Sequence, residues 1–290
     1  MEQYGVFLVA GLGVGAIYAL SGVGLVLLYR ATGVLNLAYG AIGAAAAMVA
    51  WQLRQWGSPE ALGWVVAIVL ATLLSVGYGR LIAPRLSYRE PVVKAVATLG
   101  LALMILGLAN WYWAEAPRRL SLSTDGLGFD ALGVRITGTR ALAFAVAVAT
   151  TIGIAAFLGR TRTGLEMRAL ANNRVLSSVL GIPVVKVETV AWLISGVLAG
   201  FSGLMFADLV RLNPTVLTFL VIPAIAAAIV GRLDSLIATL LGGMAIGVIE
   251  AMATLVRPLA TFRAATPFVV AAILLLWFQR KRRLTFSGND

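Results

Sequence analysis

Val6-Phe-Leu-Val-Ala-Gly-Leu-Gly-Val-Gly-Ala-Ile-Tyr-Ala-Leu-Ser-Gly-Val-Gly-Leu-Val-Leu-Leu28 contains no charged side chain. A helix of that length spans the roughly 30 Å hydrocarbon core of a bilayer. A cleaved signal peptide does not fit. Glu2 is the only early charge, so there is no basic n-region; the run is too long for an h-region; and further apolar runs follow. The stretch reads as a retained first membrane helix.

The rest of the chain repeats the pattern. Apolar residues make up 60% of the 290 positions and charged residues 12%, against about 45–50% and about 25% in soluble domains. Apolar segments fall at about 5–28, 34–53, 61–83, 92–114, 140–159, 189–209, 216–231, 235–256 and 265–279. The expected fold is an all-α, polytopic transmembrane bundle of about 8–9 spanning segments, forming one membrane domain over 1–290. Two segments are atypical. The second opens on Asn36, Tyr39, Gly40 and Gly43, and the seventh is short and contains Pro223. Either reads as a broken or re-entrant helix, a form tolerated only where protein or a cavity covers the backbone.

The net charge of +11 follows from basic loops between spans and does not require nucleic acid. With the N-terminus outside and nine crossings, Arg30, Arg80, Arg85, Arg89, Lys94, Arg160 to Lys186, Arg232 and Arg280–Arg283 fall inside, the larger share of the 23 basic residues. The expected topology is N-out and C-in, across a bacterial cytoplasmic membrane. Small residues at four-residue spacing, Gly11/Gly15, Gly196/Gly200 and Gly243/Gly247, mark close helix packing. The matching spacing of Gly11, Gly15, Ile17, Ala19 and Gly243, Gly247, Ile249, Ala251 also fits a weak internal repeat.

Absent chemistry narrows the function. With no Cys and no His, thiol nucleophiles, His general bases, disulfides and ordinary zinc sites are excluded, and no cofactor is expected. The lysines Lys94, Lys186 and Lys281 follow Val93, Val185 and Arg280, so no GxxxxGK[ST] phosphate loop exists. The chain reads as no enzyme; any ATP-driven step belongs to another subunit. Glu250 is the one carboxylate placed well inside a span. It reads either as an ion-coupling group or as an outer-end residue paired with Arg257. Asp208, at a helix end, reads as an interfacial partner of Arg211.

The loop at about 160–188 is the most informative polar segment. Leu165, Ala169, Leu176 and Leu180 fall at near-helical spacing, with Arg168, Asn172 and Asn173 between them, and Gly181 and Pro183 supply a stop. It reads as one short amphipathic helix, resting on lipid head groups or presented to a soluble partner. Asn213-Pro214 reads as a helix start.

At this loop the sequence resembles the Liv-type permease subunits of branched-chain amino-acid ABC importers, through Thr163-Gly164, Arg168-Ala169, Ala171 and Leu180-Gly181-Ile182. Gly15 to Leu20, Gly33 to Gly40, Ala97 to Leu101, Asn213-Pro214-Thr215 and Leu241-Gly242-Gly243 resemble further family segments in the same order. Tyr39 departs from the family's usual His, and Val230 to Ser235 from a glycine-richer turn in which Arg232 and Asp234 fit a local salt bridge. The resemblance implies a permease subunit of an ATP-driven importer, in a homo- or heterodimer with a second permease subunit. Two ATPase subunits would act on the loop through Thr163, Gly164, Arg168, Asn172, Asn173, Leu180 and Gly181, and an extracytoplasmic solute-binding protein would deliver the small-molecule substrate. Asn36, Tyr39, Asn213 and Glu250 are the candidate path residues. The expected solute is a branched-chain or other small polar amino acid; related permeases serve urea and short amides. The other classes left open are an ion-coupled carrier using Glu250 and a non-transporting membrane scaffold or receptor subunit.

Overall fold

A computed structural model describes residues 2–87, 89–114, 118–131, 134–210, 212–219, 221–255 and 265–280. The helices are α1 (Glu2–Thr32), α2 (Tyr39–Gln55), α3 (Glu60–Leu81), α4 (Pro91–Trp113), α5 (Gly138–Arg160), α6 (Arg162–Asn172), α7 (Arg174–Val179), α8 (Val184–Leu209), α9 (Pro214–Phe219), α10 (Val221–Val230), α11 (Leu236–Ala253) and α12 (Thr266–Arg280). Among the described residues, six helices are long and apolar enough to span a membrane: α1, α3, α4, α5, α8 and α11. The remaining expected segments correspond to α2, to the α9–α10 pair and to α12. The α4–α5 connection adds a small hairpin that the sequence reading lacked, β1 (Phe129–Ala131) antiparallel to β2 (Val134–Ile136).

On the outer helices α3 and α4, side-chain size runs opposite to that of a water-soluble bundle. The buried positions of α3 are Gly63, Ala67, Ala71, Ser75, Tyr78 and Gly79, mostly small residues, while its exposed face carries Leu62, Val65, Val69 and Leu73. On α4, Thr98, Ala102 and Ala109 are buried, and Val96, Leu99, Leu103 and Leu108 are exposed. Lipid tails are as apolar as leucine, so large residues gain nothing by turning inward. Small ones let backbones approach and gain dispersion contact.

α1 and α8 occupy the centre, and α1 packs most extensively on α11. The stripes Gly11/Gly15 and Gly243/Gly247 face one another. A Cβ on Gly247 would lie 2.4 Å from Gly15 Cα, and one on Gly243 would lie 2.5 Å from Ala19 Cα. Their shared spacing therefore serves one crossing. Gly196 and Gly200 pack α8 on Ala71, Thr72 and Ile68 of α3.

The first of the two atypical segments is broken. After α1, Gly33 takes φ +67, a conformation glycine adopts without steric cost. Residues 33–38 then run non-helically, and α2 begins only at Tyr39. The exposed backbone of this return is bonded by side chains. Thr98 of α4 accepts from Leu37 N at 3.0 Å and donates to Ala95 O at 2.7 Å, with Leu35 O 3.2 Å away. Asn36 Oδ1 accepts from Ala38 N at 3.0 Å. The seventh segment is helical over both α9 and α10, and Leu220, between them, lies outside the described residues. Pro223 lies in α10.

The single amphipathic helix expected at 160–188 is instead two. Asn173 ends α6 and caps α7, its Oδ1 accepting from Leu176 N at 2.9 Å. An asparagine that can bond the backbone two to three residues on competes with helix continuation, so the apolar spacing survives while the helix axis turns. Asp234 pairs with Arg30 of α1, at 3.3 Å, rather than serving only its own turn. Asp208 Oδ1 accepts from Leu122 N at 2.8 Å. Its expected partner Arg211, the Arg257 expected beside Glu250, and Lys281–Arg283 all lie outside the described residues.

Two pairs of variants test this packing. Gly247→Leu is expected to destabilise the fold by about 1–3 kcal/mol through overpacking, while Gly107→Leu, at a position with nothing within 4 Å of the added Cβ, should leave it unchanged. Thr98→Val should cost about 1–3 kcal/mol by leaving Leu37 N–H unpaired, with Thr98→Ser close to wild type. Thermal unfolding in detergent, followed by tryptophan fluorescence, measures both.

Candidate functional site

Two regions carry the polar chemistry of the bundle: the junction of α2 with α9, and the end at which α1 finishes and α6 and α7 lie.

At the junction, the start of α2 meets the end of α9. A Cβ on Gly40 would lie 2.2 Å from Thr218 O, so only glycine permits the approach. One turn on, a Cβ on Gly203 of α8 would fall 2.3 Å from Gly43 O. Tyr39 is buried, and its hydroxyl lies beside Ser21 and Ser202 without meeting hydrogen-bond geometry to either. Ser202 instead donates to Ala199 O at 3.2 Å. The space among these hydroxyls is about 10 Å³, no more than the roughly 10–15 Å³ that one water needs. In this conformation the junction is closed to any solute. Asn36 lies next to it, with its amide oxygen committed to the turn before α2.

The other candidate path residues lie apart from this junction. Glu250 of α11 is buried and accepts from the Tyr18 hydroxyl at 2.8 Å, tying α11 to the middle of α1. Tyr18 also packs its ring against Phe206 of α8. Asn213 begins α9, its Oδ1 accepting from Val216 N at 3.1 Å. Neighbouring Leu212 forms a backbone bridge with Arg118 in the α4–α5 connection, so this helix start belongs to the end of the bundle opposite Arg30.

At the Arg30 end, a cavity of about 850 Å³ opens between the end of α1, the start of α4, α6 and the α10–α11 turn. Arg30, Lys94, Arg168, Arg174 and Arg232 line it, with Asp234. Thr161 caps α6 by accepting from Gly164 N at 3.0 Å. A Cβ on Gly164 would lie 2.2 Å from Phe157 O, so α6 folds back tightly on the last turn of α5. Thr163 is half-buried, and Arg168 and Asn172 are exposed. α7 is bare on its outer side: Val175, Leu176, Val179 and Leu180 are between 55% and 78% exposed. Gly181 takes φ +83 and closes the helix, with Gly181 N bonding Ser178 O and Ile182 N bonding Ser177 O.

The structure places the seven loop residues read from sequence along α6, α7 and the turn after α7. It separates the four path candidates into the junction (Asn36, Tyr39), the α1–α11 seam (Glu250) and the opposite end (Asn213). Sequence reasoning gave no role to Glu188 and Ser87, which anchor Arg174 at the base of α7. A carboxylate in the second turn of an apolar helix, directly after a basic loop, was the available signal.

Comparisons with known proteins agree with this architecture. The family described as branched-chain amino acid transport system / permease component matches residues 7–278. The probable branched-chain amino acid transport permease protein LivH of Methanocaldococcus jannaschii is 28% identical over 236 residues, covering 80% of this chain and 75% of that protein. The high-affinity branched-chain amino acid transport system permease protein BraD of Pseudomonas aeruginosa is 25% identical, with 84% of each chain covered. LivH of Escherichia coli is 23% identical at the same coverage. A solved structure, PsaBC from Streptococcus pneumoniae in complex with Fab, overlaps over 93% of this chain and 88% of its own, at 15% identity and a TM-score of 0.48, too loosely to argue from. With the family match running almost from end to end, the chain belongs to the permease components of branched-chain amino acid transport systems.

Proposed function

We propose that the chain is the membrane-spanning subunit of an ATP-driven importer for branched-chain or other small polar amino acids and related solutes. The whole chain acts as one permease domain, and α6 and α7 are the segment on which partner ATPase subunits dock. The observation that carries the reading is the surface of α7. Three large apolar side chains of a six-residue helix, and a fourth on its C-cap Leu180, stand exposed, beside a basic cavity at the end of the bundle. A helix that short is not stable by itself in water. Its caps are satisfied by Asn173 and Gly181, so it is presented as a fixed shape with an unpaired apolar face, the form a groove on a soluble partner accepts.

The remaining partners follow from the family. A second permease subunit, identical or paralogous, completes the path, and an extracytoplasmic binding protein delivers the solute. The bundle lies in a bacterial cytoplasmic membrane with its N-terminus outside, which puts the basic end and α7 in the cytoplasm. With no phosphate loop in the sequence, nucleotide chemistry falls to the ATPase. Asn36 and Tyr39 are assigned to the path at the junction, where the closed contact between the start of α2 and the end of α9 is the element that must part. Glu250, held by Tyr18, is assigned to the α1–α11 seam rather than to ion coupling.

Co-expression with the ATPase subunits tests docking. Leu176→Asp combined with Val179→Asp should weaken retention of the ATPase on the detergent-solubilised permease by at least about tenfold, as loss of central apolar anchors does at interfaces. Unchanged retention would put this face on lipid instead. For the path, Tyr39→Phe removes a hydroxyl without a hydrogen-bond partner among the described residues. Stability should stay within about 0.5 kcal/mol while solute uptake changes, and wild-type uptake would remove Tyr39 from the path. Glu250→Gln should leave ATP-dependent uptake in place. Uptake that survives ATP depletion and collapses with the proton gradient would favour a carrier.

A further inference from the structure

Arg174 is the first residue of α7, and Glu188 stands in the second turn of α8. Their side chains meet as a two-pronged ion pair: Nη1 bonds Oε1, and Nη2 lies 3.3 Å from Oε2. The same Nη2 donates to Ser87 Oγ at 3.1 Å, in the connection between α3 and α4. One guanidinium therefore ties three separate pieces of chain. Glu188 is 4% exposed, and the arginine side chain is about a quarter exposed, on the wall of the basic cavity.

The rest of α7 is loosely held. It packs little on α8, and most of its residues are exposed. α8, by contrast, is the most buried of the six long helices and packs on α1, α2 and α3. A force applied to the apolar face of α7 passes inward through α6, through the turn at 180–183 and, directly onto α8, through the Arg174–Glu188 pair. The turn is a short stretch of chain with Gly181 at positive φ. The pair is directional, because a planar guanidinium engages a carboxylate in one orientation. A buried pair of this kind adds little to stability compared with an apolar replacement; what it fixes is geometry.

We infer that Arg174 and Glu188, with Ser87, are positioning residues that turn movement of α7 into movement of α8 and of the α3–α4 connection. This rests on the reading of α6–α7 as the docking segment. Breaking the pair leaves the docking face of α7 intact and removes its rigid attachment to the bundle. ATP is then hydrolysed without the bundle following.

The test uses the permease with its ATPase subunits in proteoliposomes, with the binding protein and a radiolabelled branched-chain amino acid. Uptake per ATP hydrolysed is compared for wild type, Arg174→Gln, Glu188→Gln and the exchange Arg174→Glu with Glu188→Arg. Both single variants should retain the ATPase and hydrolyse ATP, while uptake per ATP falls about tenfold, a typical size for a coupling effect. The exchange should restore much of the ratio. Should a single variant fail to fold around an unpaired buried charge, the double variant Arg174→Met with Glu188→Met keeps the packing without the charges, and the same loss of ratio is expected. A wild-type ratio in the folded single variants or in the Met double variant overturns the inference. A wild-type complex that takes up solute without ATP, or holds no ATPase, overturns the docking reading itself, and the inference with it.

Discussion

In a hydrocarbon surrounding, a backbone N–H or C=O left without a partner has no water to turn to, and each one costs several kcal/mol. Intact helices meet that demand from within. A chain that breaks its helices inside the bundle must meet it with side chains, and it must bring the breaks where those side chains are. The return at 33–38 therefore lies against α4, where the hydroxyl of Thr98 accepts from Leu37 N and lies 3.2 Å from Leu35 O. Asn36 serves Ala38 N, and Thr32 Oγ1 accepts from Val34 N at 3.1 Å. The end of α9 rests on the start of α2 through Gly40. With the return at 33–38 fixed in the interior, the long helices surround it, and α1 and α8 form the central pair.

Much of this arrangement is legible in the sequence. The apolar blocks give the spans, and Gly33, Asn36 and Gly40 mark the break because they are turn and close-approach residues inside an apolar run. Pro223 marks the seventh segment as atypical, and Leu220 in the same segment lies outside the described residues. The four-residue glycine spacings say that helices approach closely, but not which ones. That depends on the arrangement of all the spans, and a one-dimensional pattern is silent on it. The matching spacing of the first and eleventh helices looks like a repeat on paper; in space it is the two halves of one contact.

The candidate site was legible in unequal measure. The basic loop declares itself by composition, and its residues lie along α6, α7 and the turn after α7. Its shape was not foreseen, because the apolar spacing of Leu165, Ala169, Leu176 and Leu180 is nearly continuous across Asn173. One side-chain cap, not a loss of periodicity, turns the chain there. Glu188 was equally hard to read. Its partner stands 14 residues earlier, across a helix and a turn, and no periodicity connects the two. Tyr39 and Asn36 were flagged as polar groups in an apolar wall, and they divide on inspection: the amide belongs to the backbone of the break, while the phenol is left beside two serines.

The small-inside, large-outside arrangement has a mechanical consequence. A helix contact built from interlocked leucines moves only when many rotamers change together. Stretches of the seams between α1 and α11 and between α3 and α8 are lined with glycine, alanine and serine, where two helices meet backbone to backbone with few rotamers to change. The same seams are pinned by large groups: the Tyr18–Glu250 bond between α1 and α11, and the Tyr78–Trp192 and Trp64–Phe201 ring pairs between α3 and α8. Small shear between packed helices is one of the ways proteins change state, and in these seams it is those few large groups, not the glycine stripes, that any such shear has to repack.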